Sequence, residues 1–268
     1  ISSTKDLGLS SNERLHIENK SIFSPKKYLN LKPNGFKIYT FHAGFKKSFE
    51  DLLIIIFEKS AKNSVVYSKT STPSAPIIWD KKYNKGVTKA LIVNSGNANA
   101  HTGNKGIKTI DKYTEYLAKF LDCKKSEILV SSTGVIGELF NSNLIINQIN
   151  KIKDIPTKSL LDAAKAIMTT DTYPKISIKN IKINNTNLKI YGIAKGSGMI
   201  YPNMGTMLVY IFIEANISKK ILSKLLNNNL ENTFNSITTD GDTSTSDTLV
   251  LFSVDNSTIN FNINKNYE

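Results

Sequence analysis

The sequence predicts a layered α/β or α+β fold with mixed sheets buried on both faces. Three observations predict it. Short apolar segments rich in Val, Ile, Leu and Phe recur along the 268 residues, and segments with helical spacing alternate with some of them. Other apolar segments are separated by only a few residues, as in hairpins. Some, such as MLVYIFIEA (207–215), are apolar almost throughout, which suits a strand covered on both sides.

Taken in order, residues 1–32 are rich in Ser, Lys and Asn and read as a flexible extension. FKIYTFHAGFK (36–46), FEDLLIIIFEKS (49–60) and NSVVYSK (63–69) read as three strands, the second deeply buried. KALIVNS (89–95) is a β run that ends in the Gly/Asn-rich turn GNANAHTGNKG. Ile107, Ile110, Tyr113, Leu117 and Phe120 recur at helical spacing and predict a helix over 107–121. EILVSS (127–132) is a strand running into TGVIG, and 144–152 and 160–168 read as helices. ISIKNIKI and LKIYGIAK form a hairpin around residues 184–187. A strand over 207–215, a helix over 217–230 with Ser218 near its start, and a strand over 248–254 follow. The tail NSTINFNINKNYE resembles the start of another strand.

Composition narrows the function classes. Hydrophobic residues make up 40% and charged residues 21%, which excludes collagen-like, coiled-coil and wholly disordered chains. A single cysteine, Cys123, excludes an intramolecular disulfide framework and a multi-cysteine zinc ribbon, and fits a reducing compartment. The net charge of +13 can steer anions. Its lysines are scattered among Asn and Ile in every segment, which reads as compositional drift rather than a nucleic-acid face. A pull on an acidic small molecule is compatible with it. The longest apolar run, 52–57, falls far short of the ~20 residues of a bilayer helix, so no membrane partner is expected. The start has no apolar core of a secretory signal, and Asp6, Glu13 and Glu18 argue against a transit peptide.

Four segments gather small and hydroxyl residues at strand ends: NSGNANAHTG (94–103), SSTGVIG (131–137), MTTDTYPK (168–175) and KGSGMIYPNMGTML (195–208). Such loops let backbone N–H groups approach a ligand. In the fourth, a glycine-rich loop with Lys195 leads to Gly205-Thr206 and at once to an apolar strand. A threonine hydroxyl becomes a useful nucleophile when its own α-amine serves as base, which requires a cut immediately before it. That amine titrates near ~7.7–8.0 and can take the hydroxyl proton near neutral pH. Thr206 as a mere β-branched strand opener is the plain alternative. Acyl transfer also needs donors for an oxyanion, and Thr133-Gly134 could supply a hydroxyl and a backbone N–H; a turn with Gly134 at positive φ is the plain alternative.

NSGNANAHTG, SSTGVIGELF, AIMTTDTYPK, GIAKGSGMIYPNMGTML and TTDGDTSTSDT occur here in the order seen in the ornithine acetyltransferase family, also called arginine biosynthesis bifunctional proteins. The resemblance runs from about Gly35 to the end of the chain. It implies a layered α/β/β/α sandwich like that of N-terminal-nucleophile hydrolases but differently connected. It also implies self-cleavage at Gly205–Thr206 into an α-chain (33–205 here) and a β-chain that begins at 206. Acetyl passes from N-acetylornithine to glutamate through an acetyl-threonine, with acetyl-CoA a further donor in some members and no cofactor or metal. Carried over by motif, Thr206 is the nucleophile, Thr133 and Gly134 the oxyanion pair, and Lys195 and Thr169 substrate contacts, with Thr170 as the alternative register. Two α- and two β-chains in a hetero-tetramer and a cytoplasmic location, or an organellar one in a eukaryote, are implied as well.

The sequence departs from the family in three places. Gly205 stands where alanine is usual, His101 stands where cysteine is common, and family members continue well past TTDGDTSTSDT. The continuation carries further substrate contacts, so a truncated or split protein is expected. Asp240, Asp242 and Asp247 read as a hydrogen-bonded turn rather than a cation site, because Thr245 and Leu251 break an EF-hand pattern. His16, His42 and His101 show no ligand spacing. The rival readings are a related self-cleaving amidase or aminopeptidase, with water as acceptor, and an inactive truncated remnant.

Overall fold

The structure is a computed structural model that describes residues 31–183, 186–200 and 207–255. Eight strands form one hydrogen-bonded sheet: β1 (Phe36–Phe41), β2 (Leu52–Tyr67), β3 (Val87–Asn97), β4 (Ile128–Val135), β5 (Lys175–Ile183), β6 (Thr186–Lys195), β7 (Leu208–Ile213) and β8 (Thr248–Ser253). Their order is β4-β3-β2-β8-β7-β6-β5, with β1 paired to β2 off that path. The pairs β3–β4 and β7–β8 are parallel and the rest antiparallel.

The sheet folds back on itself. The two segments expected as separate strands at 49–60 and 63–69 are one strand, β2, bent by a register shift between Ile56 and Ala61. Its first part pairs with β1 and β3, and its second part pairs with β8. On a flat sheet β4 and β6 would lie five strand spacings apart, roughly 24 Å. Instead Lys195 on β6 reaches Thr133 on β4 at 3.0 Å, and Phe36 on β1 stacks on Phe212 of β7 at 4.5 Å between centroids. The inner faces of the two halves therefore enclose one apolar layer, built from Leu53, Phe57, Leu129, Ile193, Tyr210, Phe212 and Phe252 among others. Strands β7 and β8 are apolar almost throughout because both of their faces are covered. Strand β5 is largely exposed and carries Lys175, Lys179 and Lys182, as a protected edge does.

Helices cover the two outer faces, which gives the α/β/β/α layering. Helix α1 (Ala75–Tyr83), α2 (Gly103–Leu121) and α3 (Asn143–Ile149) pack on the first half through Trp79, Ile110, Tyr113, Leu117 and Ile145. Helix α5 (Lys219–Leu230) packs on the second half through Leu222 and Leu226. Helix α4 (Leu160–Ala166) closes one side of the inner layer with Leu160, Ala163 and Ala164. It is nucleated by a capping box: the Ser159 hydroxyl accepts from the Asp162 amide at 3.2 Å, and the Asp162 carboxylate accepts from the Ser159 amide at 2.9 Å.

Helix α1 is missing from the sequence reading. Its apolar residues are not gathered on one regular face, and Ile78 is exposed while Ile77 and Trp79 are buried. The legible signal was Pro76 in its first turn. Helix α2 begins at Gly103, four residues before its first apolar anchor. Leu31, assigned to the extension, accepts from the Leu160 amide at 3.0 Å. The turn residues 184 and 185, the tail from 256 onward and residues 1–30 lie outside the described residues.

Candidate active site

The site lies where β4 and β6 end, at one edge of the inner layer. Thr133 and Lys195 are buried, with 4% and 3% exposure, and the lysine Nζ donates to the threonine Oγ1 at 3.0 Å. The hydroxyl accepts this bond, so its own proton is left to donate. A cation bound to the oxygen strengthens that donor. The next residue, Gly134, has φ of +131°, and a Cβ there would sit 2.3 Å from the carbonyl carbon of Gly96 on β3. Only glycine fits so close an approach of two backbones. Gly96 in turn faces the carbonyl of Phe45, which roofs it.

Asp171 connects Lys195 to the segment that holds the paired threonines. Its Oδ1 accepts from the Gly196 amide at 2.8 Å and from Lys175 Nζ at 2.5 Å, and its Oδ2 accepts from the Thr169 amide at 3.3 Å. Thr169 is thereby fixed beside the lysine loop, whereas Thr170 is exposed. A third lysine joins from the loop after β1. Lys46 Nζ donates to the Met168 carbonyl at 2.7 Å, one residue before Thr169. Asp51, fully buried, shapes that loop by accepting from the amides of Ala43 (2.6 Å), Gly44 (3.1 Å) and Lys46 (2.9 Å).

Gly205 and Thr206 lie outside the described residues. Met207, which follows them, is described. Its amide donates to Asp247 Oδ1 at 2.8 Å, and its carbonyl accepts from the Thr248 amide at 3.0 Å. Asp247 is 1% exposed, and its Oδ2 is buried as well. The aspartates expected in one turn thus do two different jobs. Asp240 is the turn residue, accepting from the amides of Met199 (2.5 Å), Ile200 (2.9 Å) and Asp242 (3.4 Å), while Asp247 grips the backbone next to residue 206.

Burial and neighbouring charge set opposite directions for these groups. Burial lowers the Lys195 ammonium below its ordinary value, partly offset by Asp171. Burial lowers Lys46 to about 8, with Asp51 opposing and Lys195 adding to the drop. For Asp171, burial pushes upward, but the fields of Lys195 and Lys175 and its hydrogen bonds outweigh it, and the carboxyl stays below the usual range. For Asp247, burial wins and raises the carboxyl to about 8 against the Met207 hydrogen bond and Lys195. The site therefore gathers three lysines around one well-paired carboxylate, beside an acid that burial keeps neutral at neutral pH. Such a site suits an anionic ligand and a developing oxyanion.

The sequence named Thr133, Gly134, Lys195 and Thr169, and the structure brings these four together. It missed Lys46, Asp171 and Asp247. Asp171 had a signal, since it sits inside the quoted MTTDTYPK segment, but only burial beside Lys195 reveals its job. Among the described residues no three His, Cys, Asp or Glu side chains are grouped to hold a metal ion. Cys123 is half-buried, and burial raises its thiol to about 11, so it is a weak nucleophile at neutral pH. No helix among the described residues is long and apolar enough to cross a membrane.

The ArgJ family model matches residues 37–268. Arginine biosynthesis bifunctional protein ArgJ of Bartonella henselae is 45% identical over 222 residues, covering 82% of this chain and 54% of the relative. Its counterpart in Rhizobium meliloti is 41% identical over 236 residues, covering 87% and 57%. The chain thus spans about half the length of the curated relatives it matches. Among solved structures, the Bacillus halodurans arginine biosynthesis bifunctional protein superposes with a TM-score of 0.58 at 31% identity, covering 65% of this chain and 92% of that one. Ornithine acetyltransferase of Mycobacterium tuberculosis, complexed with ornithine, gives 0.54 at 26%, covering 66% and 94%. A Pyrococcus horikoshii protein at 12% identity and a TM-score of 0.52 shares the fold. With a family match across most of its length and the layered fold those relatives share, the chain belongs to the ArgJ family.

Proposed function

We propose that this chain is part of an acetyltransferase of arginine biosynthesis that moves acetyl from N-acetylornithine to glutamate, a glutamate N-acetyltransferase with a threonine nucleophile. The observation that carries the reading is the buried bond from Lys195 to Thr133, set beside Gly134 at one edge of the inter-sheet layer. Family membership supports it, and so does the ornithine bound to the Mycobacterium tuberculosis relative.

Scission of the 205–206 bond frees the α-amine of Thr206. That amine takes the hydroxyl proton as Thr206 Oγ attacks the acetyl carbon of N-acetylornithine. The negative oxygen that forms is met by the Thr133 hydroxyl and the Gly134 amide. The carbon–nitrogen bond then breaks, the proton passes to the leaving amine, and ornithine departs from an acetyl ester on Thr206. The α-amine of glutamate attacks that ester, loses a proton, and leaves as N-acetylglutamate. Lys195 holds a substrate carboxylate, and Thr169, with Thr170 as the alternative register, lines the site. Acetyl-CoA is a further donor on this reading, with no resident cofactor. The cut chains would associate as a tetramer of two α- and two β-chains, and a cytoplasmic location fits the reaction.

The test is glutamate-dependent release of ornithine from N-acetylornithine by the complete gene product, followed with intact mass spectra of the protein. Two chains and an acetyl adduct on the one starting at Thr206 are expected. Release that proceeds equally without glutamate would favour the amidase reading. A single uncut chain with no adduct would favour the inactive remnant.

A further inference from the structure

Lys46 carries an inference about acceptor choice that rests on the acetyl-transfer reading above. It is half-buried, yet its two hydrogen bonds go to backbone carbonyls, Met168 O at 2.7 Å and Glu50 O at 3.4 Å. No carboxylate among the described residues lies within ion-pair distance of it. The acids around it are occupied elsewhere. Asp51 is filled by three backbone amides, Asp171 is bound to Lys175, and the Glu50 carboxylate accepts from Thr40 at 2.6 Å and lies 3.8 Å from Lys158. A half-buried ammonium without a carboxylate partner is placed to pair with one that a ligand supplies.

Lys46 also belongs to the site. A continuous path of bonded neighbours runs from Lys46 through Met168, Thr169, Asp171 and Gly196 to Lys195 and Thr133. Two ammonium groups thus serve one site. Glutamate brings two carboxylates, whereas N-acetylornithine brings one carboxylate and a side-chain cation. We propose that Lys46 is a specificity-determining residue that binds the side-chain carboxylate of the acceptor, while Lys195 serves the α-carboxylate common to both substrates.

The test compares wild type with Lys46→Met and Lys46→Gln in the complete gene product, the glutamine retaining an N–H donor for the Met168 carbonyl. The KM for glutamate should rise roughly tenfold or more, while the KM for N-acetylornithine stays within about twofold. The preference for glutamate over glutamine as acceptor should shrink by a similar factor, a readout that a loop-anchoring role would not move. An equal rise in both KM values would assign Lys46 to the shared carboxylate and overturn the proposal, as would unchanged acceptor preference in a folded variant. If Lys46→Met melts far below wild type, the glutamine variant decides by the same ratio. Wild-type protein without glutamate-dependent release would instead remove the underlying acetyl-transfer reading.

Discussion

The layer between the two halves of the sheet has an aromatic end, supplied by β1, β2, β7 and β8, and a charged end, supplied by β4 and β6. At the aromatic end Phe36, Phe57, Phe212 and Phe252 meet at centroid distances of 4.5 to 6.2 Å. At the other end Lys195 follows Tyr191 and Ile193 on the same face of β6, and Thr133 follows Leu129 on β4. Burial is equally deep at both ends: Phe212 is 0% and Lys195 3% exposed. Burying a ring is favourable by itself, while burying an ammonium costs free energy that Asp171, Thr133 and the surrounding dipoles offset only in part. One end holds the halves together and the other holds charge.

The sharpest way to break this contrast is Thr206→Ala. It should leave the chain uncut and without turnover, and a cut or active variant in intact-mass and ornithine-release assays would remove the nucleophile from its place. Phe212→Ala at the aromatic end should cost about 3–5 kcal/mol in denaturant melts, with the folded fraction still transferring acetyl. A stable but inactive Phe212→Ala protein would show that the two ends are not separable. Thr133→Ala at the charged end should behave in the opposite way. Acylation should slow by ~10²–10³, with melting hardly changed, and an unaltered single-turnover rate would dismiss its oxyanion role.

Asp247→Asn sharpens the contrast within the charged end. The folded carboxyl sits at about 8 against an ordinary 3.8, so the folded state binds the extra proton between those values. Its contribution to stability is full below 3.8 and is lost as pH rises through 8. The asparagine variant cannot lose that contribution. Its stability relative to wild type should climb from pH 4 to 8 and level off above. A difference independent of pH in paired melts would mean that the acid is ordinary.

Much of the fold was legible because it depends on local pattern. The alternation and length of the apolar runs located every strand, and Ser159 and Ser218 mark helix starts through bonds to residues three positions on. What failed was the length of β2 and the existence of α1. The exposed Glu58-Lys59-Ser60 interrupt the apolar run of β2 at the bend, which reads as a loop between two strands. Helix α1 is buried by contacts with α2 and β4, distant in sequence. Thr133, Gly134 and Lys195 stood out singly as hydroxyl- and glycine-rich loop residues, but their pairing was not legible, since 62 positions separate the bonded lysine and threonine.

The residue order by itself determined which segments are strands, which glycines permit close backbone approach, and which threonine stands after Gly205. Only the folded chain decided which charges matter. Three aspartates near the site look alike as letters. Asp171 is held ionised by two lysines, Asp51 is spent on loop amides, and Asp247 is kept neutral by burial. The physical reason is that a side chain's charge state follows from the water it loses and the partners it gains, and both are set by segments far away along the chain.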